Sequence, residues 1–235
     1  MNSVKKYGKR SLYIFAILIL LVGSLKWLWM MSGSGEWVLK KDEGGVQVYS
    51  LKSPGHNITQ FKSVMESDMT VTQVAASLLL ENHSLENCKK WIPTCVGDVV
   101  VEPYSENSQG DSILWTLELL PPVFKNREFL IRTQAAQDPD TKVVSVDITA
   151  ASGKLPRNDC CLRVTQAHNR WTLTPLDSGK IRIELIQDTS MGGFFPDFLI
   201  NLAGADEAHK LFKDLLPGII GQEQYRTAEL SYVDE

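Results

Sequence analysis

From Cys95 to Asp188 the chain repeats one device, a run with apolar and polar residues in alternation followed by a cluster of turn formers. The runs are CVGDVVVEPYS, DSILWTLELL, REFLIRTQAA, KVVSVDITAAS, CLRVTQAHNRWTLTPL and KIRIELIQD, separated by ENSQG, PPVFKN, QDPDT and the turn Asp177 to Gly179. A period of two with short Gly, Asn, Asp and Pro connections predicts an antiparallel meander. In DSILWTLELL, Ile113, Trp115, Leu117 and Leu119 share one face, opposite Thr116 and Glu118, so that face should meet the interior. Upstream, WVLKK and VQVYS flank DEGG as a hairpin, and ITQFKSVMES reads as a third strand.

Helical signals are few. In TVTQVAASLLLEN, Thr70 can cap a helix whose Val71, Val74, Ala75, Leu78 and Leu79 recur at helical spacing, and a short helix should follow from Ser84 to Lys90. The closing element is expected from Phe194 to Leu216, with Pro196 in its first turn and Pro217-Gly218 ending it. Phe195, Phe198, Leu199, Leu202, Leu211, Phe212, Leu215 and Leu216 mostly follow three-or-four spacing. A helix of about 21 residues there would be roughly 32 Å long, enough to cross a sheet. One long helix against seven to nine antiparallel strands places the chain in the α+β class.

The N-terminus carries basic residues, then SLYIFAILILLVGSL, then KWLWMMSGSG, the layout of an export signal or signal anchor. Residues Leu12 to Met31 approach the roughly 20 apolar residues that span a hydrocarbon core, with Lys26 able to snorkel and Trp27 and Trp29 at the interface. The alternative is a peptide cleaved near Ser24 or within Ser32 to Gly35. Residues 1–31 are thus read as anchor or signal, 32–35 as spacer, 36–220 as one domain and 221–235 as a polar, loose tail. With the basic end cytoplasmic, the domain faces the exported, periplasmic side. If the segment is removed, the domain is soluble there.

Residues 1–35 hold Lys5, Lys6, Lys9, Arg10 and Lys26 and no acid, which leaves 19 basic against 28 acidic residues beyond. That balance excludes a nucleic-acid partner. Cys88 and Cys95 flank KKWIPT and could staple that loop, while Cys160 and Cys161 would point to opposite faces of a strand; buried thiols are the other reading. No Cys-x-x-Cys pair, no metal-ligating histidine spacing and no nucleophile elbow occurs, so no metal, cofactor or catalytic residue is expected. Asn57 and Asn82 would be glycosylation acceptors only in a eukaryotic secretory pathway. The Gly192-Gly193 pair ahead of the last helix could cradle an anion. However, no Lys or Arg lies between Arg182 and Lys210, and Asp188 and Asp197 bracket the pair. A hinge is the better reading, with Phe194 or Phe195 at a cavity mouth.

Several segments in order resemble the START lipid-transfer family, named after the steroidogenic acute regulatory protein, over roughly Trp37 to Ile220. WVLKKDEGGVQVY resembles its opening, Trp91 its isolated Trp, and PPVFKNREFLIR its Pro, Arg-acid-Phe and Arg run. The stretch LRVTQAHNRWTLTPLDSGKIRIELIQDTSMGGFFPDFLIN resembles the Arg, Trp, Pro, Gly-Gly, Pro and Asn string that leads into its closing helix. The resemblance implies a helix-grip fold, a curved antiparallel β-sheet wrapped around a long C-terminal α-helix, enclosing a tunnel for one lipid or sterol.

On that basis the chain is expected to bind and transfer a lipid or sterol at a membrane without catalysis. A helix-grip cyclase or hydrolase, or a scaffold with a filled cavity, are the alternatives. Ile113, Trp115, Leu117, Phe195, Phe198, Leu199, Leu202 and Phe212 are candidates for the lining, or are ordinary core. The resemblance also implies a cavity arginine on REFLIRTQ that meets the ligand's polar group. Arg132 is the candidate, although Glu118, the available acid after Asp111 on the preceding strand, falls opposite the apolar face. Trp91 and Trp171 read as packing residues.

Overall fold

A computed structural model describes residues 2–79, 84–193 and 195–234 of the chain, with side chains from residue 12 onward. Helix α1 (Asn2–Met31) is continuous and includes the apolar stretch Leu12–Met31, none of it buried against the domain. A hairpin of β1 (Trp37–Glu43) and β2 (Val46–Leu51) follows, turning on Gly44 and Gly45, both at positive φ. Next come β3 (Gln60–Ser67), α2 (Val71–Leu79) and α3 (Leu85–Trp91). Thr70 and Ser84 cap the two helices, each accepting from a backbone N–H at 3.1 Å, those of Gln73 and Asn87. Residues 80–82, expected in the first helix, lie outside the described residues.

The meander is β4 (Cys95–Ser105), β5 (Gly110–Leu117), β6 (Asn126–Gln137), β7 (Val144–Ala150), β9 (Ala167–Pro175) and β10 (Ile181–Thr189). The sheet order is β1-β2-β3-β10-β9-β7-β6-β5-β4, and every neighbouring pair on that path is antiparallel. One expected strand is divided. CLRVTQAHNRWTLTPL gives a short β8 (Cys161–Arg163) parallel to the start of β6, and only then β9. β7 pairs with β6 only from Ile131 onward, so residues 126–128 keep a free edge that β8 fills.

The closing helix differs from its expected bounds. α4 (Asp197–Lys210) continues through a π-helical turn (Leu211–Leu215) into α5 (Leu216–Ile220), so the rod passes through Pro217-Gly218. In the π-turn the N–H of Leu216 reaches the carbonyl of Leu211, which restarts the helix and leaves Pro217 in a first turn that needs no donor. The expected start at Phe194 lies outside the described residues. The rod packs on the sheet through its middle. Phe212, fully buried, stacks on Trp171 at 5.7 Å with rings 7° from parallel, and Trp91 meets Trp171 edge-on at 6.4 Å.

The tail is not loose. Helix α6 (Glu223–Arg226) and the residues after it bury Tyr225 and Leu230 in the main core, with Tyr232 and Val233 packed against it. Gln137 exchanges hydrogen bonds with the Asp234 backbone at both ends of its amide, and Lys142 pairs with Asp234 at 2.6 Å. A polar average concealed four side chains with a core to reach, Tyr225, Leu230, Tyr232 and Val233.

Candidate ligand site and its rim

The register fixes which residues face the closing rod. Trp171 touches the rod, and across the sheet it stands opposite Val146, which is opposite Ala135. Along β6 the same face carries Thr133, Ile131, Phe129 and Arg127, opposite Asp111, Ile113, Trp115 and Leu117 of β5. Ile113, Trp115 and Leu117 therefore share the concave face. Ile113 and Leu117 are buried and Trp115 is half-buried, with its indole Nε1 enclosed and without a hydrogen-bond acceptor among the described residues. That corner is stapled by the Cys88–Cys95 disulfide, which ties α3 to the start of β4 with the Cα atoms 6.0 Å apart.

Arg132 does not reach the interior. It stands opposite Ser112 and Thr149 on the outer face and is exposed. The reason is parity. Residues five apart on a strand point to opposite sides, so an inward Arg127 forces Arg132 outward. Arg127 is only 2% exposed. Its guanidinium donates to three main-chain carbonyls, from Nε to Met191 at 2.7 Å, from Nη2 to Gly192 at 3.1 Å and from Nη1 to Lys125. Burial pulls its pKa below the usual arginine range, and the carbonyls are what hold the cation in place. The inward arginine is a clasp on the Gly-Gly segment.

Gly192 and Gly193 both take left-handed backbone, at φ +64 and +61. They lie over Leu162 of β8. A Cβ on Gly193 would fall 2.6 Å from Leu162 Cδ1, and one on Gly192 would fall 3.3 Å from Cδ2. Just after them Phe195 meets Phe124 of the β5–β6 connection, with ring centroids 5.5 Å apart.

Three candidates on α4 face away from the sheet. Phe198 and Leu202 are 64% and 77% exposed, and Leu199 is also exposed. The side of α4 toward the sheet is carried by Asn201, Gly204, Ala205 and Ala208, small or polar residues that apolar spacing does not register. Gly204 sets the approach, since a Cβ there would lie 2.1 Å from the Phe61 ring. The rod's first turns thus dock by closeness and leave their large apolar side chains outside.

The same end of the molecule receives α1. The Lys52 ammonium donates to the carbonyls of Met30, Ser32 and Ser53 at 3.1–3.3 Å, and Gly55 N–H reaches Met30 O at 2.8 Å. Lys52 thereby caps the open carbonyls of α1 with a positive charge. Trp29 Nε1 donates to Asn57 O at 2.9 Å, and Asn201 of α4 bonds both Asn57 O and Thr59 N–H. Two cavities adjoin this corner. One of about 280 Å³ lies among residues 51–60, Asp188, Ser190 and Asp197, and one of about 260 Å³ among Leu162, Arg163, Ser190, Gly192 and Gly193. His56 and Asn57 line the first.

No protein-family model matches the chain. An uncharacterized protein of Pseudomonas aeruginosa is 24% identical over 182 residues, 77% of this chain and 85% of that protein. Among solved structures, a STAR-related lipid transfer protein fragment from Xanthomonas axonopodis superposes with a TM-score of 0.68 at 20% identity, covering 80% of this chain and all of that one. Human StAR-related lipid transfer protein 5 gives a TM-score of 0.63 at 14% identity, over 89% and 98% of the two chains. Human STARD10 gives 0.65 at 14%, over 83% and 77%. With its ten-stranded sheet closed by the C-terminal rod, the chain has the START helix-grip fold.

Proposed function

We propose that the protein is a membrane-tethered carrier that holds one lipid or sterol between the concave face of the sheet and the closing rod, on the exported side. An acyl chain leaving a bilayer gives up about 0.8 kcal/mol per CH2, so a carrier must offer an equally dry seat. Ile113, Trp115, Leu117 and Phe129 would form the apolar seat, with Trp115 Nε1 as the donor for an oxygen of the ligand. Phe212 bounds the seat as core. The Gly192-Gly193 segment, with Phe195 and Phe124, is the hinge through which the ligand passes.

The observation that carries this reading is the apolar outer face of α4. Phe198, Leu199 and Leu202 are exposed there, with Leu120 and Val123 exposed on the connection that meets Phe195. Farther along α4 the outward side turns to Asp206 and Glu207. Through Asn201, Asn57 and Trp29 the apolar half of α4 is hydrogen-bonded to the end of α1. An exposed apolar patch beside the end of an apolar span suits a bilayer surface, into which it would sink while the acidic half stays in water.

The test uses the full chain in nanodiscs containing a photoactivatable diazirine phospholipid, followed by peptide mapping. The expected result is label on β5 and β6 within 111–117 and 127–135 and on α4 within 198–203. Label confined to α1 would refute the carrier, and chemical conversion of the lipid would replace it with an enzyme.

A further inference from the structure

The two disulfides of this chain sit in opposite environments. Cys88 and Cys95 are fully buried in a small apolar cluster, whereas Cys160 is exposed and Cys161 half-buried. Cys160 and Cys161 are bonded to each other although adjacent in sequence. Cys160 lies in the turn before β8 and only Cys161 is on the strand, so the alternation expected of two strand residues does not apply to the pair. An incoming thiolate can approach Cys160 but not the buried pair.

The exposed pair stands at the root of the hinge. Cys161 opens β8, in register with Asn126, and the next residue, Leu162, is in register with Arg127. Leu162 is the side chain beneath Gly192 and Gly193, and Arg127 is the clasp on the carbonyls of Met191 and Gly192. Arg163 then anchors β8 through a buried pair with Glu128 at 2.8 Å and hydrogen bonds to the carbonyls of Ser152, Leu155 and Pro156. β8 is therefore anchored at its far end by Arg163 and along its length by β6, while the Cys160–Cys161 ring constrains the backbone at its near end. That constraint on the near end can be lifted by chemistry at the surface, where Cys160 is exposed.

We propose that Cys160–Cys161 is a thiol–disulfide exchange site whose oxidation state sets the mobility of the Gly192-Gly193 hinge. A dithiol reductant attacks Cys160 Sγ, breaking the Sγ–Sγ bond and forming a mixed disulfide. Its second thiol then displaces Cys160, closing the reductant's own disulfide. Two electrons and two protons pass to the protein, leaving two thiols. With the ring open, Cys161 can take the alternating orientation of a strand, and Leu162 loses its fixed seat under the glycines. The oxidised form is the closed state and the reduced form the open one.

The functional part of this inference rests on the lipid-carrier reading, so the test reads the hinge separately. Full-length protein in nanodiscs is treated with a mild dithiol and trapped by alkylation, and hydrogen exchange at amides 190–193 is measured alongside transfer of a fluorescent phospholipid to acceptor vesicles. Alkylation at Cys160 and Cys161 alone, faster exchange at 190–193 and a transfer rate raised about fivefold or more are expected. A Cys160→Ser/Cys161→Ser variant should behave as the reduced protein and ignore the dithiol. Reduction that leaves amides 190–193 unchanged overturns the proposal, as does resistance of the pair to reduction under conditions that open Cys88–Cys95. Faster amide exchange with no lipid bound in either state supports the latch and removes the carrier reading instead.

Discussion

Replacing Gly193 with alanine tests the rim most sharply, because two separable penalties fall on one methyl group. The backbone there is left-handed at φ +61, where an L-residue with a Cβ loses about 1–2 kcal/mol. The new Cβ also meets Leu162 Cδ1 at 2.6 Å, and relief to ordinary carbon contact requires Leu162 to leave its rotamer at about 0.5–1.5 kcal/mol. Together these give a destabilisation of about 1.5–3.5 kcal/mol. For Gly192→Ala the contact is a milder 3.3 Å, so the loss should be about 1–2 kcal/mol. The assay is urea denaturation of the full chain in detergent, run as a double-mutant cycle with Leu162→Ala. Trimming Leu162 should return about 1 kcal/mol of the Gly193→Ala loss and much less of the Gly192→Ala loss. A Gly193→Ala protein within about 0.5 kcal/mol of wild type, or a cycle without coupling, would refute the account of these glycines.

Other consequences follow from the same contacts. Phe212→Ala removes the ring stacked on Trp171 at the centre of the core and should cost about 3–5 kcal/mol in the same denaturation. Lys52→Met takes a charged donor from the carbonyls of Met30 and Ser32, and hydrogen exchange of residues 32–35 should accelerate as α1 loosens from the domain while the sheet stays protected. The Asp234 carboxylate is held below its usual range by its hydrogen bond to Lys142, and Glu102 by those from Lys154 and Ser112. Groups depressed in the folded state add stability above their unfolded pKa of about 4 and lose it as pH falls through their folded values. Acidification from pH 5 to 3 should therefore loosen the Asp234 end of the tail, read as increased exchange at residues 233–234 while 225–230 stay protected, and Lys142→Met should loosen it already at neutral pH.

Much of this fold was legible because alternation and turn residues report directly on a half-buried sheet. Ile113, Trp115 and Leu117 fall on the concave face as their spacing required. The closing helix was legible as an element but not as a surface. Hydrophobic periodicity weights large side chains, whereas α4 meets the sheet through Gly204, Ala205 and Ala208 and turns Phe198 and Leu202 outward. Arg132 was favoured over Arg127 by resemblance, yet strand parity with the apolar residues Ile131 and Ala135 already put Arg132 on the other side. The π-turn that carries the rod through Pro217 depends on tertiary contacts that no local window contains, whereas the bond between adjacent cysteines is local but is not specified by the residue pattern around it.

Binding stoichiometry separates the carrier of one apolar ligand proposed above from a scaffold with a filled cavity. The full chain, delipidated in a lipid-free detergent, is titrated with radiolabelled phospholipid and with radiolabelled sterol, and protein-bound label is counted after separation from micelles. Saturation at one ligand per chain is predicted, abolished when Trp115 and Ile113 are replaced by residues that fill or charge the concave face and retained when Leu202 is made polar. No saturable binding of either ligand, or binding that survives the changes at Trp115 and Ile113, would contradict the account.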